Sequence, residues 1–279
     1  MEIFRDIGAY RRWRQSFSGG RTIGFVPTMG ALHAGHMKLV AVSRAATSET
    51  VVSIFVNPLQ FGPTEDFARY PRPFDDDSRL CREAGVAAIF APEAKDFYAP
   101  DHSTYVDVEG LDRYLCGAAR PGHFRGVCTV VLKLFNIVEP THAYFGQKDI
   151  QQALILRKMV RDLSLDLNLE IVPTVREPSG LALSSRNVYL SLEEKARAVA
   201  LSRGLTKAHA AWSGGEKSAQ TLKEIVSREI AASSPTRVDY IEAVTQSRLE
   251  PVENLSEPGV LAVAVYYGKT RLIDNLLLG

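Results

Sequence analysis

Pro27-Thr28-Met29-Gly30-Ala31-Leu32-His33-Ala34-Gly35-His36 follows directly on the apolar run at residues 22–26. The run reads as a β-strand and the glycine-bearing segment as a turn; a helix is predicted from Gly35 to residue 48. The first N–H groups of a helix lack intrahelical acceptors and the helix dipole favours negative charge there, so this turn is an anion site in outline. Two imidazoles beside an anion can follow the charge that develops when a triphosphate is broken. The plain alternative is that His33 and His36 cap the helix. A zinc site would need a third ligand, and no partner stands nearby in the sequence.

Outward from this turn, strand-like and helix-like segments alternate. Strands are predicted at residues 21–26, 51–56, 86–90, 143–146 and 167–172, and helices at 35–48, 74–84, 124–138 and 149–162. The run at 51–56 is apolar on both faces, as a buried parallel strand must be. Alternation with short connections predicts an α/β fold, a doubly wound parallel sheet. The composition changes beyond residue 176. Two helices are predicted at 192–212 and 216–232, the first opened by a Ser191/Glu194 capping box, with Gly214-Gly215 between them. Two antiparallel strands at 238–244 and 260–267 complete a smaller C-terminal α+β domain. The expected domains are therefore 1–176 and 177–279.

With 279 residues, 46% of them hydrophobic and a net charge of +1, the chain can bury a sizeable core and has no overall nucleic-acid or anionic-membrane footprint. Neither nucleic acid nor membrane is an expected partner. The start, Met-Glu-Ile-Phe-Arg, lacks the basic and apolar regions of a signal peptide, and no apolar run approaches the roughly 20 residues of a membrane span. Cys81, Cys116 and Cys128 match neither a disulfide framework nor a zinc knuckle. A reducing, cytoplasmic setting is expected, with Cys128 packed in a core.

Three further polar clusters fall at predicted strand ends, where ligands of open α/β sheets bind. Asn57-Pro58-Leu59-Gln60-Phe61-Gly62 offers amides that both donate and accept, or is an ordinary loop. Phe145-Gly146-Gln147-Lys148-Asp149-Ile150-Gln151-Gln152 offers a mobile cation, while Asp149 also reads as a helix cap. Leu183-Ser184-Ser185-Arg186-Asn187 offers hydroxyls and a guanidinium suited to phosphate, or is a polar linker. Asp75, Asp76 and Asp77 open a predicted helix; capping explains them as well as magnesium does, and they stay outside the expected site.

In this order, together with Arg-Pro-Gly-His-Phe-Arg-Gly-Val at 120–127 and Arg271-Leu272-Ile273-Asp274-Asn275, these segments resemble the pantoate–β-alanine ligase family of the nucleotidyltransferase superfamily, over essentially the whole chain. The resemblance implies a Rossmann-like fold of the nucleotidyltransferase type. It implies an ATP-dependent condensation of (R)-pantoate with β-alanine to pantothenate, through pantoyl adenylate, releasing AMP and pyrophosphate. ATP contacts carried over by position are Met29, Gly30, Ala31, Leu32, His33, Ala34, Gly35 and His36. Gly146, Gln147, Lys148, Asp149, Val175, Leu183, Ser184, Ser185 and Arg186 complete that set. His36 takes the usual proton-donor assignment, and His33, Lys148, Ser184, Ser185 and Arg186 stabilise phosphate charge. Gln60 is implied to hold pantoate and to approach β-alanine, and Gln152 to hold pantoate. Mg²⁺ is implied on the ATP phosphates, and a homodimer as the assembly. The chain departs from the family pattern at Leu183, commonly methionine, and at Gln147, commonly glutamate. A transferase that leaves its nucleotide on the product, and a regulatory module without catalysis, are the rival readings.

Overall fold

The predicted strand–turn–helix lies between β2 (Ile23–Thr28) and α2 (Ala34–Ala46). A side chain at Gly24 would sit 2.0 Å from Ser43 Oγ and 2.6 Å from Thr47 Oγ1, so the missing Cβ is what lets α2 lie down on its own strand. Ser43 Oγ in turn hydrogen-bonds Thr50 Oγ1 at 2.7 Å, tying the helix to β3 (Glu49–Ile54).

The computed structural model describes residues 1–17, 20–63, 65 and 67–279. They form two compact units. The first comprises Met1–Glu109, Arg120–Gly146 and Ile155–Val172. Among its described residues, six strands make a sheet in the order β1 (Glu2–Phe4), β4 (Ala88–Phe90), β3, β2, β5 (His142–Gly146), β6 (Asn168–Val172), with every neighbouring pair parallel. The chain winds from β2 through β3 to β4 in one direction and from β5 to β6 in the other. The reversal lies between β2 and β5, paired through Gly24↔His142 and Phe25↔Ala143. The carboxyl ends of strands at such a switch point are where an open α/β sheet binds ligands. Phe25, Val26, Val51, Val52, Ile89 and Phe90 are buried in its core. Each contributes on the order of 1.5–3 kcal/mol through burial.

Helices α1 (Ile7–Gln15), α3 (Phe74–Glu83), α4 (Ala94–Phe97) and α6 (His123–Val138) belong to this unit. The sequence reading missed β1 and α1. The strand has only three residues, and α1, rich in arginine, buries only Tyr10.

The second unit comprises Gly110–Ala119, Gln147–Leu154 and Pro173–Gly279. The sequence suggests a single junction after residue 176; the contacts put the final junction after Val172 and assign two earlier segments to this unit. Gln151 supplies the physical reason. Its Oε1 accepts from Cys116 N (2.9 Å) and Gly117 N (3.3 Å), and its Nε2 donates to Leu111 O (2.8 Å) and Tyr114 O (2.9 Å). One buried amide thus joins α5 (Leu115–Ala119) to the start of α7 (Ile150–Asp162).

The helix predicted at 192–212 is present as α8 (Leu192–Ala198) and α9 (Ala200–Ser213), divided at Val199, whose ψ of −21° tightens the turn. The Ser191/Glu194 capping box is formed, with bonds of 2.8 and 3.1 Å. With α10 (Ala219–Ala232), these helices cover β7 (Arg237–Thr245), β8 (Gly259–Tyr267) and β9 (Thr270–Leu278), an antiparallel sheet in that order. Leu201, Leu205, Leu222, Val226, Leu261 and Val263 form its core. The sequence predicted two strands and the structure has a third, because buried Asp274 and Asn275 interrupt the apolar pattern of β9.

Candidate active site

The turn at residues 29–36 is built by its own side chains. Gly30 (φ +82°) and Ala31 (φ +52°) turn the chain in the left-handed region. His33 is the N-cap of α2; its Nδ1 accepts from Gly35 N at 3.1 Å, and His36 Nδ1 accepts from His33 N at 3.3 Å, a reciprocal capping box. A Cβ on Gly35 would lie 2.7 Å from the His33 ring, so glycine is required beneath the imidazole. The rings lie 4.1 Å apart, tilted by 37°. An Nδ1 that accepts a hydrogen bond carries no proton, so both rings take the tautomer with the proton on Nε2 and present Nε2–H as a donor.

This corrects the picture of an open set of helix-start N–H groups. Gly30 N donates to Thr28 Oγ1 (3.1 Å), and Ala31 N and Leu32 N donate to Asp77 Oδ2 (2.9 Å) and Oδ1 (2.7 Å). His33, Gly35 and His36 are engaged in the capping box, so several N–H groups of this turn are already satisfied within the protein. Asp77, left outside the site by the sequence reading, is thus a structural member of it. The only sequence signal was its place in an acidic first turn, which capping explained equally well. Burial pushes its carboxyl up, against the two amide donors that draw it down. Met29 and Asp77 also line a cavity of about 320 Å³ with Ile54, Phe55, Phe74 and Ala91.

Gln60 closes a short 3₁₀ turn, Pro58–Gln60, capped by Asn57. Asn57 Oδ1 accepts from Leu59 N (3.3 Å) and Tyr98 OH (3.0 Å), and its Nδ2 donates to Gly126 O (3.1 Å), which fixes the orientation of its amide. The same Nδ2 donates to Gln60 Oε1 at 3.1 Å. Gln60 therefore turns its Nε2–H₂ the other way, toward Met29 Sδ at 3.1 Å, a weak acceptor. Gln60 O is held by His123 Nδ1 (2.8 Å) and Arg120 Nη2 (3.3 Å). Arg120 Nη1 donates to His123 Nε2 at 2.9 Å, so His123 carries its proton on Nδ1 and donates it to Gln60 O. Arg120 is also forked onto Glu65, with both bonds at 2.6 Å. Burial alone would raise the Glu65 carboxyl, but the guanidinium outweighs it and holds the group below the usual glutamate range.

In the first unit the structure thus brings residues 29–36 and Gln60 together, with Gly146 at the end of β5. The second unit holds the remaining expected residues. Lys148 is half-buried in a 3₁₀ turn, Gln147–Asp149, and Asp149 is exposed just before α7. Gln152, half-buried, follows Gln151 on that helix. Val175 O accepts from Leu183 N at 2.9 Å, closing a hairpin that leads to Ser184. Ser184 caps the 3₁₀ turn Ser185–Tyr189, its Oγ accepting from Arg186 N at 3.2 Å; Arg186 is exposed. The segment that the sequence also allowed as a polar linker therefore contains a capped 3₁₀ turn. Among the described residues, no cluster of three or more His, Cys, Asp and Glu could hold a metal ion.

A parallel sheet with a capped histidine turn at its switch point, together with a separate antiparallel unit, defines an α/β protein with a Rossmann-like, doubly wound sheet. The family model described as pantoate-beta-alanine ligase matches residues 2–277, and the chain belongs to that family. A protein from Pelotomaculum thermopropionicum named pantothenate synthetase is 53% identical over 266 residues, spanning 95% of this chain and 94% of its own length. One of the same name from Thermotoga petrophila is 52% identical over 280 residues, covering 100% of both. Pantothenate synthetase from Thermus thermophilus, a crystal structure, matches with a TM-score of 0.93 at 43% identity, covering 99% of each chain. Pantoate-beta-alanine ligase from Francisella tularensis, solved with beta-gamma ATP and beta-alanine, matches with a TM-score of 0.82 at 33% identity, covering 99% of this chain and 97% of its own.

Proposed function

We propose that this protein joins (R)-pantoate to β-alanine, driven by ATP, through a pantoyl-adenylate intermediate. The observation that carries the reading is the pairing, in one unit, of two imidazole Nε2–H donors with a glutamine amide locked as a donor at Gln60. The Francisella relative, with its nucleotide and beta-alanine, supports the choice of substrates.

In the first step an oxygen of the pantoate carboxylate attacks the α-phosphorus, the bond to the bridging oxygen breaks, and pyrophosphate leaves. In the second the β-alanine amine attacks the acyl carbon, forming the amide and releasing AMP. A carboxylate is a weak nucleophile that the triphosphate repels, so catalysis consists of neutralising charge and holding the reactants in line. Gln60 Nε2–H₂ and Gln152 suit the pantoate oxygens; Gln60 also lies on the β-alanine side in this reading. Residues 29–36, Gly146, Gln147, Asp149, Val175 and Leu183 surround ATP. His33, Lys148, Ser184, Ser185 and Arg186 take up phosphate charge. The proton-donor role of His36 becomes hydrogen-bond donation from Nε2–H to the departing pyrophosphate. Full proton transfer would require a cationic ring, and its Nδ1–H would face the His33 N–H. Mg²⁺ is proposed to enter with ATP, bound mainly through its phosphates, and would screen their charge. The cytoplasm is the proposed location and a homodimer the proposed assembly.

Pantoate-dependent exchange of pyrophosphate into ATP, run without β-alanine, tests substrate and intermediate together. Exchange is expected, followed by free AMP when β-alanine is added. A nucleotide retained on the product would indicate a transferase, and no exchange would indicate a binding module.

A further inference from the structure

The Asp274-Asn275 pair has no part in the chemistry above, yet it is among the most buried polar pairs in the second unit, with both side chains 3% exposed. Buried polar side chains of this kind must find partners, and these find theirs on the two segments proposed to handle phosphate.

Asn275 Nδ2 donates to Gln147 O (2.8 Å) and Lys148 O (3.0 Å), and its Oδ1 accepts from Gln147 Nε2 at 3.4 Å. Every polar function of that amide is spent on the turn that carries Lys148. Asp274 accepts a forked pair from Arg176, Nη1 to Oδ2 at 2.6 Å and Nη2 to Oδ1 at 3.0 Å, and its Oδ1 also accepts from Asn275 N at 2.8 Å. Arg176 Nη1 donates onward to Gly180 O at 3.2 Å. Arg176 pairs with Ala182 across the hairpin whose next residues are Leu183, Ser184, Ser185 and Arg186. Successive strand residues point to opposite faces, so two neighbours on β9 can address two different segments. Lys148, Ser184 and Asp274 line one cavity of about 10 Å³, so the two segments meet at this pair.

We propose that Asp274 and Asn275 are positioning residues that set both phosphate-handling segments from one strand: Asn275 orients the turn bearing Lys148, and Asp274, through Arg176, orients the hairpin leading to Ser184, Ser185 and Arg186. Gln147 completes the first arm. A glutamate there has no hydrogen to give Asn275 Oδ1, so the departure at 147 has a structural consequence in this chain. The inference rests on the reading of Lys148 and residues 184–186 as ATP contacts.

Two nearly isosteric substitutions separate support from folding. Asn275→Leu keeps about the same shape, adds no charge beside Asp274 and cannot donate to either carbonyl. Arg176→Lys keeps the charge but loses the fork. Titration of MgATP into each purified, full-length protein, without pantoate, is expected to show affinity weakened by about tenfold or more, since a displaced lysine or arginine loses charge-assisted hydrogen bonds to phosphate. In the exchange assay the KM for ATP should rise while the KM for pantoate stays within about twofold, a split that mere loss of folded enzyme does not produce. A wild type that binds ATP but shows no exchange overturns the proposed function, and the titration still decides the support role. ATP affinity within about twofold of wild type in both variants overturns the inference.

Discussion

His33 and His36 cap α2 through their Nδ1 atoms, which leaves the ring proton of each on Nε2. An asparagine amide reaches about where Nδ1 lies, and a glutamine amide about where Nε2 lies. His36→Asn is therefore expected to keep the cap and lose adenylation by roughly 10²–10³-fold, the usual loss for one transition-state donor. His36→Gln should retain more of the rate, and pantoate affinity should hold in both; single-turnover adenylate formation and pantoate titration check this. Glu65 supplies the pH dependence at this scale. Its folded-state pKa is lowered, so the stability it contributes is present above the ordinary value of 4.5 and is lost as pH falls through the lowered one. Urea unfolding of wild type and Glu65→Gln should differ at about pH 7, and the difference should shrink as pH falls below the ordinary glutamate value. The histidine pair was legible in the sequence because the strand, glycines and rings are contiguous. Asp77 was not, because its partners lie 45 and 46 residues away and its local role as a capping acid looked sufficient.

Elements fixed by close approach depend on single glycines. A Cβ on Gly126 would lie 2.2 Å from Leu59 O, so α6 touches the turn bearing Gln60 only because residue 126 has no side chain. Gly126→Ala is expected to lose about 1–3 kcal/mol by overpacking and to raise the KM for pantoate, measured by urea unfolding and steady-state kinetics. The long periodic elements, α2, α6, α7 and β8, were readable from their apolar spacing, to within a few residues at their ends. What escaped was short or polar. β1 is three residues long, and β9 carries Asp274 and Asn275 inside, where only their partners on other segments make burial tolerable.

At the scale of the whole molecule, the two units each hold their own core and their own part of the proposed machinery. The proposed intermediate is a mixed anhydride, which hydrolyses in water, so the proposed reaction calls for the segments assigned to phosphate to be ordered when ATP is present. Hydrogen exchange over residues 177–190 should slow when ATP is added, and equal exchange with and without it would count against their ordering by the nucleotide. By itself the sequence determined the α/β class, the smaller α+β region and the turn, amide and serine–arginine clusters, because periodicity and contiguous motifs are local properties of a chain. Only the tertiary structure decided which polar atoms of those motifs are held by partners and how their amides and rings are turned. The Nε2–H tautomers at His33 and His36 follow from partners two and three residues away, but the Asn57 amide that turns Gln60 is oriented by Gly126 O and Tyr98 OH, 69 and 41 residues away, and the turn bearing Lys148 is placed by Asn275, 127 residues away. Such partners leave no periodic trace, since a buried polar group is specified by what it meets in space.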